Sequence, residues 1–476
     1  MKNQIIKTTI VFLIIILSNL AANAQAINTP YFLENTPTRH LYNPAFQPQG
    51  TWYLSIPLMG HVQAGIFNNS VSVKDLVYKD VRGNTVTAFS PHGRDKLYNK
   101  MRDGILIAPN LDINLLGFGF RTSIGYWTVG INTKMDLDIV LPKTGLLLYG
   151  TGTVHEPKVS DFSKLGVKSN FYSELALGYS TAINDKLTVG GKIKLLYGHG
   201  GMNTINNRLD LTTGVDKWAI DGDMSLLVAM PMSIYNEAEN KFEMGTASFR
   251  EWFSPSGMGA GIDLGATYKL NNELSFAASV TDLGFIRWTK NATDLYYNTS
   301  YSFTGVEIDG FNFDHIGGFV DSTFNALQQG FNPKSIESFT TGTTAKINLS
   351  AEYAFFDSFS VGLLSRTMFY KRTRQDFTLA ANYRPFDALN LTAAFTLING
   401  RTGTLGFAAA TQLGAFNFFL GADYLPLRYV NIPFDVFSEG SNGSLTLPYA
   451  TKGMNFAFGF NLVFGRKKAQ DLVAMF

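Results

Sequence analysis

Residues able to carry acid–base, nucleophilic or metal chemistry are few in this sequence and lie far apart. The chain has no cysteine, and its six histidines stand at positions 40, 61, 92, 155, 199 and 315. No two histidines have the spacing of a metal-binding pair on a helix or hairpin. Without cysteine there is no thiolate metal site, no thiol nucleophile, no disulfide and no lipoprotein anchor. We therefore predict no catalytic residues, no metal site and no cofactor.

Common catalytic signatures are also missing. The G-x-S-x-G elbow of many hydrolases does not occur. Gly190-Gly191-Lys192 lacks the upstream glycine and the following Ser or Thr of a phosphate-binding loop, and it falls inside a predicted strand. An enzyme acting on membrane lipids would instead need a Ser–His pair that faces the lipid on adjacent strands. Such a lipid-acting enzyme is the third candidate function.

Four charged residues stand on the polar faces of predicted strands: Lys192, Lys194, Asp263 and Glu352. If these faces enclose a lumen, the lysines either line a polar channel or pair with the carboxylates. Pairing is favoured because an unpaired charge away from water is costly.

The elements that position these side chains are strands, because apolar and polar residues alternate with a period of two. Residues 187–197, LTVGGKIKLLY, place Ile193 and Leu195 on one face and the two lysines on the other. The same alternation returns in residues 262–268, 347–355 and 456–464.

Composition and charge narrow the class of protein. The chain has 45 Gly, 39 Phe and 21 Tyr, a mean hydropathy near zero and no apolar run of the ~20 residues that a spanning helix needs. Strands with one apolar and one polar face suit a transmembrane barrel with lipid outside and a polar lumen inside. There are 39 Lys+Arg and 37 Asp+Glu with no basic stripe, so we predict no nucleic-acid partner.

We predict an all-β fold, a transmembrane up-and-down antiparallel β-barrel of about 14 strands with an N-terminal plug segment. Short Asn-, Asp- and Gly-rich turns alternate with long polar segments, as in barrels with periplasmic turns and external loops. Twelve or 16 strands, and a soluble sandwich, are the alternatives. Strands are predicted to start near residues 51, 112, 126, 171, 187, 258, 274, 345, 358, 377, 389, 404, 416 and 454.

The N-terminus predicts export. Lys2 and Lys7 precede an apolar run over residues 10–17, and Ala22-Asn23-Ala24 supplies a small-x-small cleavage site. We predict a signal peptide over residues 1–24, cleaved after Ala24, and location in the outer membrane; a short membrane helix is the alternative. A plug-like segment (25–50), a barrel (51–464) and a C-terminal tail (465–476) follow.

Asn43-Pro44-Ala45-Phe46, just before the first strand, resembles the NPA motif of FadL-like fatty-acid transporters. The outer-membrane barrels of type IX secretion and gliding, PorV-like and PorP/SprF-like, carry a similar motif. Residues 257–288 and 383–424 look like the same broad group. The whole mature chain resembles a family of uncharacterised Bacteroidetes-type barrels, catalogued as a domain of unknown function.

The resemblance implies a 14-strand barrel whose N-terminal segment folds inward as a plug, with Asn43 and Pro44 fixing its turn. Proline locks its own φ and restricts the preceding residue, which suits a rigid corner. The alternative is an ordinary turn that caps a strand.

Two functions follow as expectations. The first is FadL-like uptake of an apolar small molecule, because lumen faces rich in Ala, Gly, Ser and Thr leave room for a plug or ligand. The second is a non-transporting structural or secretion-associated component. Expected partners are outer-membrane lipid, an apolar small molecule, and a periplasmic or secretion-machinery protein. The last strand ends near Phe464, and the tail beyond it either docks or serves as an assembly signal.

Overall fold

The computed structural model describes residues 27–68, 71–72, 75, 77–79, 85–87, 97–99, 101, 104–144, 158–214, 217–231, 233–236, 241–244, 250, 254–303, 331–400, 402–423, 429–433, 444–448 and 453–465. The predicted signal peptide lies outside these residues, as does the predicted tail after Gly465. In the described part of the chain, no helix has the length and apolar character to cross a membrane.

Antiparallel strands form the wall of the barrel. All strands are numbered together, so the numbers missing from the next sentence belong to strands outside the wall. Numbered in chain order, they are β1 (Trp52–Ser55), β2 (Val62–Asn68), β5 (Ile105–Arg121), β6 (Tyr126–Leu141), β8 (Gly166–Ala182), β9 (Leu187–Thr213), β13 (Gly257–Lys269), β14 (Leu274–Trp288), β17 (Phe339–Gly342), β18 (Lys346–Phe356), β19 (Phe359–Phe369), β20 (Thr373–Phe386), β21 (Leu389–Ile398), β22 (Thr402–Leu413), β23 (Phe416–Asp423) and β26 (Gly453–Phe464).

Other strands lie beyond the wall. They are β3 (Val77–Lys79), β4 (Thr85–Thr87), β7 (Lys158–Asp161), β10 (Trp218–Ala229), β11 (Ser233–Asn236), β12 (Lys241–Met244), β15 (Ala292–Phe303), β16 (Phe331–Ser335), β24 (Tyr429–Pro433) and β25 (Ser444–Pro448). The C-terminal half of β9, from Gly201 to Thr212, extends beyond the wall and pairs with β10. β10 pairs in turn with β15.

The wall is a closed circle. Each strand pairs antiparallel with the next, and β26 returns to pair with both β1 and β2. β1 and β2 together form one stave, as do β17 and β18, so the closed barrel has 14 strands. The predicted all-β antiparallel barrel and its strand number are therefore confirmed. Closure leaves no wall edge with unpaired backbone groups.

The first stave is interrupted at residues 56–61, between β1 and β2. Leu58 there has a positive φ of 64°. Its N–H donates to the Leu115 carbonyl at 3.3 Å, and the Met59 carbonyl accepts from Phe460 N at 2.8 Å. The interrupted stave thus stays hydrogen-bonded to both neighbouring strands.

The two faces of the wall differ in polarity. On β9, Lys192 and Lys194 are each 5% exposed and face inward, whereas Ile193 between them is 64% exposed on the outer surface. The short turns, including residues 183–186, lie at one end, which we call the turn end. The opposite end, where β2 ends at Asn68 and β5 begins at Ile105, we call the loop end.

Candidate functional site

The N-terminal segment, residues 27–50, lies inside the barrel against the inner faces of wall strands. Its two short 3₁₀-helices, Thr29–Phe32 and Pro37–Leu41, each have proline in the first turn, where its fixed φ is compatible with a helix start. Most of the segment is buried.

Wall side chains hold the start of the segment. One oxygen of the Asp423 carboxylate accepts from Asn28 N at 2.5 Å, and the other accepts from Thr29 Oγ1 at 2.7 Å. The buried Arg366 guanidinium donates to the Ile27 carbonyl at 2.7 Å. These bonds join residues more than 300 positions apart, so the wall recognises the segment's backbone directly.

The Asn43-Pro44-Ala45 turn is held by its own side chain and by the wall. Asn43 Oδ1 accepts from Ala45 N at 2.9 Å, which closes an Asx turn. Asn43 Nδ2 donates to the carbonyls of Ala266 and Ala278 at 3.3 and 3.2 Å. The amide therefore satisfies both the turn and two strands, and Asn43 is fully buried.

A pair of glycines makes room for this turn. Gly190 on β9 and Gly265 on β13 are direct cross-strand partners. A Cβ on Gly190 would lie 2.4 Å from the Pro44 carbonyl oxygen, and one on Gly265 would lie 2.0 Å from Asn43 Oδ1. Any other residue at either position would displace the turn. Phe46, the last residue of the motif, packs its ring against Tyr31 at 5.3 Å between centroids.

His40 links the segment to Lys192. Lys192 Nζ lies 2.8 Å from His40 Nδ1 and donates to the His40 carbonyl at 2.6 Å. His40 Nε2 lies 2.5 Å from the Tyr53 hydroxyl. Burial and the neighbouring ammonium of Lys192 hold the pKa of the His40 imidazole well below its ordinary value. The neutral ring therefore accepts from Lys192 and donates to Tyr53.

A charged network occupies one side of the lumen, centred on Asp282. Its carboxylate oxygens lie 2.6 Å from Lys134 Nζ, 2.6 Å from Lys194 Nζ and 2.9 Å from Lys346 Nζ. Glu174 Oε1 lies 3.3 Å from Lys134 Nζ. These residues come from β6, β8, β9, β14 and β18, so the network joins several staves through the lumen.

Asp263 connects this network to a bulge in the wall. The register of β13 with β14 shifts between Ile262 and Leu264, and Asp282 has a positive φ of 58° there. Asp263 Oδ1 accepts from Asp282 N at 2.7 Å and lies 2.7 Å from Lys194 Nζ. The bulge thus aims Asp282 at the lysines.

The four charged residues that were predicted to face the lumen therefore make different contacts. Lys194 meets Asp263, whereas Lys192 meets the N-terminal segment. Glu352 lies apart and accepts from Ser360 Oγ at 2.5 Å and Asn382 Nδ2 at 3.2 Å.

Sequence reasoning missed Asp282, Lys134 and Glu174. The last two alternate with apolar neighbours as Lys194 does, and that pattern could have revealed them. Nothing in the sequence marks Asp282, because its position depends on the bulge.

An apolar lumen patch lies on a different part of the wall, on β19 to β23 and β26. Segment side chains with large apolar groups cover it. The covering residues are Ile27, Tyr31, Phe32 and Leu33, and the apolar lumen patch is Leu364, Ala380, Ala394, Ala408, Ala410, Phe419 and Ala457.

Side chains of non-adjacent staves also meet at the loop end. Ile398 at the tip of β21 packs with Leu106, Ala108 and Val140 from β5 and β6. In the turn between β19 and β20, Lys371 Nζ donates to the Thr204 carbonyl and Lys371 N to Asp138 Oδ2, both at 2.8 Å. These contacts therefore join non-adjacent staves of the wall at the loop end.

The apolar outer face, the polar inner face and the closed circle of 14 strands define an outer-membrane β-barrel. The chain belongs to DUF5723, a family of unknown function, whose model matches residues 44–423. The predicted membership of a domain-of-unknown-function family is thus confirmed. No curated protein matches the sequence.

Several solved structures are similar to this chain. The toluene transporter TodX of P. putida has 10% identity and a TM-score of 0.42, with 90% of this chain and 95% of that chain covered. The toluene transporter TbuX of Ralstonia pickettii has 11% identity and a TM-score of 0.39, with 93% and 95% covered. A FadL homologue of Pseudomonas aeruginosa has 13% identity and a TM-score of 0.37, with 93% and 96% covered. At these values the similarity carries no argument about a substrate.

Proposed function

We propose that this barrel takes up an apolar small molecule across the outer membrane, and that residues 25–50 are a plug that must move for passage. On this proposal the signal peptide is cleaved after Ala24, and the turn end faces the periplasm. The observation that carries the proposal is the apolar lumen patch beneath the segment.

The patch supports an apolar cargo because of what covers it. Tyr31, Phe32 and Leu33 are buried inside a lumen whose other side is lined by ion pairs. Burying a side chain of this kind contributes about 1.5–3 kcal/mol. An apolar molecule that takes the place of these side chains recovers that free energy, whereas an ion or sugar does not. Displacement of the segment is therefore coupled to the polarity of the cargo.

The test is uptake by the purified full-length barrel in proteoliposomes. The probes are a labelled long-chain fatty acid and toluene, with labelled glucose as the polar control. We expect the apolar probes to enter and glucose to be excluded.

Two variants test whether uptake depends on the apolar lumen patch. Ala394→Asp places a charge within it and is expected to reduce apolar uptake. The control is Thr392→Ser, at a buried neighbouring position of β21, which is expected to leave uptake unchanged. Equal entry of apolar probes into protein-free liposomes and proteoliposomes contradicts the proposal.

A second candidate, a non-transporting structural or secretion-associated component, is supported by the tight packing of the segment around His40. The cavity between His40, Tyr53 and Lys192 is about 10 Å³, room for roughly one water molecule. Affinity purification from cells distinguishes the two. A stoichiometric periplasmic partner, together with no uptake in the proteoliposomes, favours the structural role.

A further inference from the structure

A serine and a histidine meet on adjacent wall strands, away from the lumen site. Ser173 Oγ on β8 lies 2.8 Å from His199 Nε2 on β9. Thr133 Oγ1 on β6 lies 2.8 Å from the same serine oxygen. When Thr133 donates to Ser173, the serine hydroxyl is left to donate to the imidazole. This is the geometry of a nucleophile beside its general base.

The serine faces outward. On β8 it shares its face with Leu175 and Leu177, which are 38% and 41% exposed, whereas the alternate residues Tyr172 and Glu174 are buried in the lumen. Ser173 is itself partly exposed and His199 is 4% exposed. The pair therefore opens to the surroundings of the barrel through the serine.

A bulge places the histidine. The register of β8 with β9 passes from Tyr172↔Gly198 to Phe171↔Gly200, so His199 is the extra residue. Bulges re-aim side chains and are frequent at barrel rims and beside active sites. The Phe171 ring packs against the imidazole at 5.0 Å between centroids and covers it from one side.

The height of the pair in the membrane matters for its substrate. His199 stands 199 − 187 = 12 residues beyond the start of β9 at the turn end. At ~3.3 Å per residue and a tilt of roughly 40°, this is a rise of about 30 Å. The apolar band of such barrels is about 25 Å tall. The pair therefore lies at the loop-end edge of the band, where the acyl esters of lipids meet the polar headgroups.

We propose that Ser173 and His199 form a catalytic pair on the outer surface of the barrel that hydrolyses acyl esters of membrane lipids. From the sequence we predicted no catalytic centre. We also noted that a barrel enzyme acting on lipids would need a Ser–His pair that faces the lipid on adjacent strands. This pair meets that requirement. The proposal is independent of uptake through the lumen.

The reaction is an acyl transfer to serine and then to water. Ser173 Oγ attacks the ester carbonyl carbon, and its proton passes to His199 Nε2. The bond from carbonyl carbon to the alcohol oxygen breaks, and that oxygen takes the proton from His199. Water then attacks the acyl-serine and gives a proton to Nε2. The fatty acid leaves as Ser173 Oγ regains this proton, so ester and water become acid and alcohol.

The experiment uses the full-length barrel in vesicles of phosphatidylethanolamine and phosphatidylglycerol, with a fluorophosphonate probe that bonds to activated serines. We expect an adduct on the peptide containing Ser173 and release of fatty acid from the vesicles. S173A should lose both, and H199N should slow them by about 10²–10⁴-fold, the usual contribution of a general base. S169A, on the same face of β8, is the matched control and should behave as wild type.

A mobility shift between unheated and boiled samples confirms that each variant is folded. Mapping the adduct on the wild type requires no variant, so the test holds even if S173A fails to fold. No adduct at Ser173 in folded wild-type protein overturns the proposal. Equal labelling rates for wild type and H199N also overturn it.

Discussion

Asn43 Oδ1 lies 2.0 Å from the point where a Cβ on Gly265 would stand. The two residues are separated by more than 200 positions in the chain, and the glycine has no role in a turn of its own. It provides the space in which the Asn43-Pro44-Ala45 turn contacts the wall. Docking of residues 27–50 therefore depends on residues of the wall strands as well as on residues of the segment.

Gly265→Ala is expected to weaken docking of the segment. The new methyl group would overlap the Asn43 amide, and overpacking of this kind costs typically 1–3 kcal/mol. The fraction of barrels in which the segment is displaced should rise roughly 5–150-fold, measured as conductance in planar bilayers. Gly191→Ala is the control, because a Cβ there would meet its nearest atoms at 3.6 Å, an ordinary contact. Equal conductance of both variants would count against the contact.

Asn43→Asp removes the side-chain donor that bonds the carbonyls of Ala266 and Ala278 and points a carboxylate at them. Leaving such groups unsatisfied costs about 1–3 kcal/mol. Trypsin cleavage after Arg39 in the segment should become at least several-fold faster, since proteolysis follows the population of the open form. Asn272→Asp, in an exposed turn, is the control and should leave the cleavage rate unchanged.

Asp282→Asn is expected to destabilise the barrel by about 3–5 kcal/mol, because it leaves buried Lys134 and Lys194 and half-buried Lys346 without their shared carboxylate. The temperature at which the folded band disappears from an unheated gel should fall. Adding Lys194→Met to this variant should restore part of the loss. Asp161→Asn is the control at an exposed carboxylate outside the wall, with an expected change within about 0.5 kcal/mol.

Acidification is expected to release the segment through His40. The pKa of this imidazole is held below its ordinary value while the segment is docked. Once displaced, it titrates near pH 6.5. Only the displaced form then binds a proton below about pH 6.5, so docking is fully favoured above that pH and weakens as the pH falls, by at most about 1.4 kcal/mol per pH unit. Bilayer conductance should rise between pH 7 and 5, and His40→Gln should flatten this rise. An unchanged profile in that variant would assign the effect to other groups.

The barrel could be predicted from local features of the sequence. Alternation of apolar and polar residues and the position of turn residues are local properties, so they predicted 14 strands and the inward facing of Lys192 and Lys194. The same local pattern extends to Lys134 and Glu174, although neither was singled out.

The contacts between side chains, in contrast, follow from the three-dimensional arrangement of the strands. The Asp282 network, the Gly190–Gly265 space for Asn43, and the contact of Ser173 with His199 all depend on strand register and on bulges. Register is set by pairing between strands that are distant in sequence, and one extra residue re-aims a side chain. Contacts of this kind leave no periodic trace in the chain, so the pattern of apolar and polar residues could not locate them.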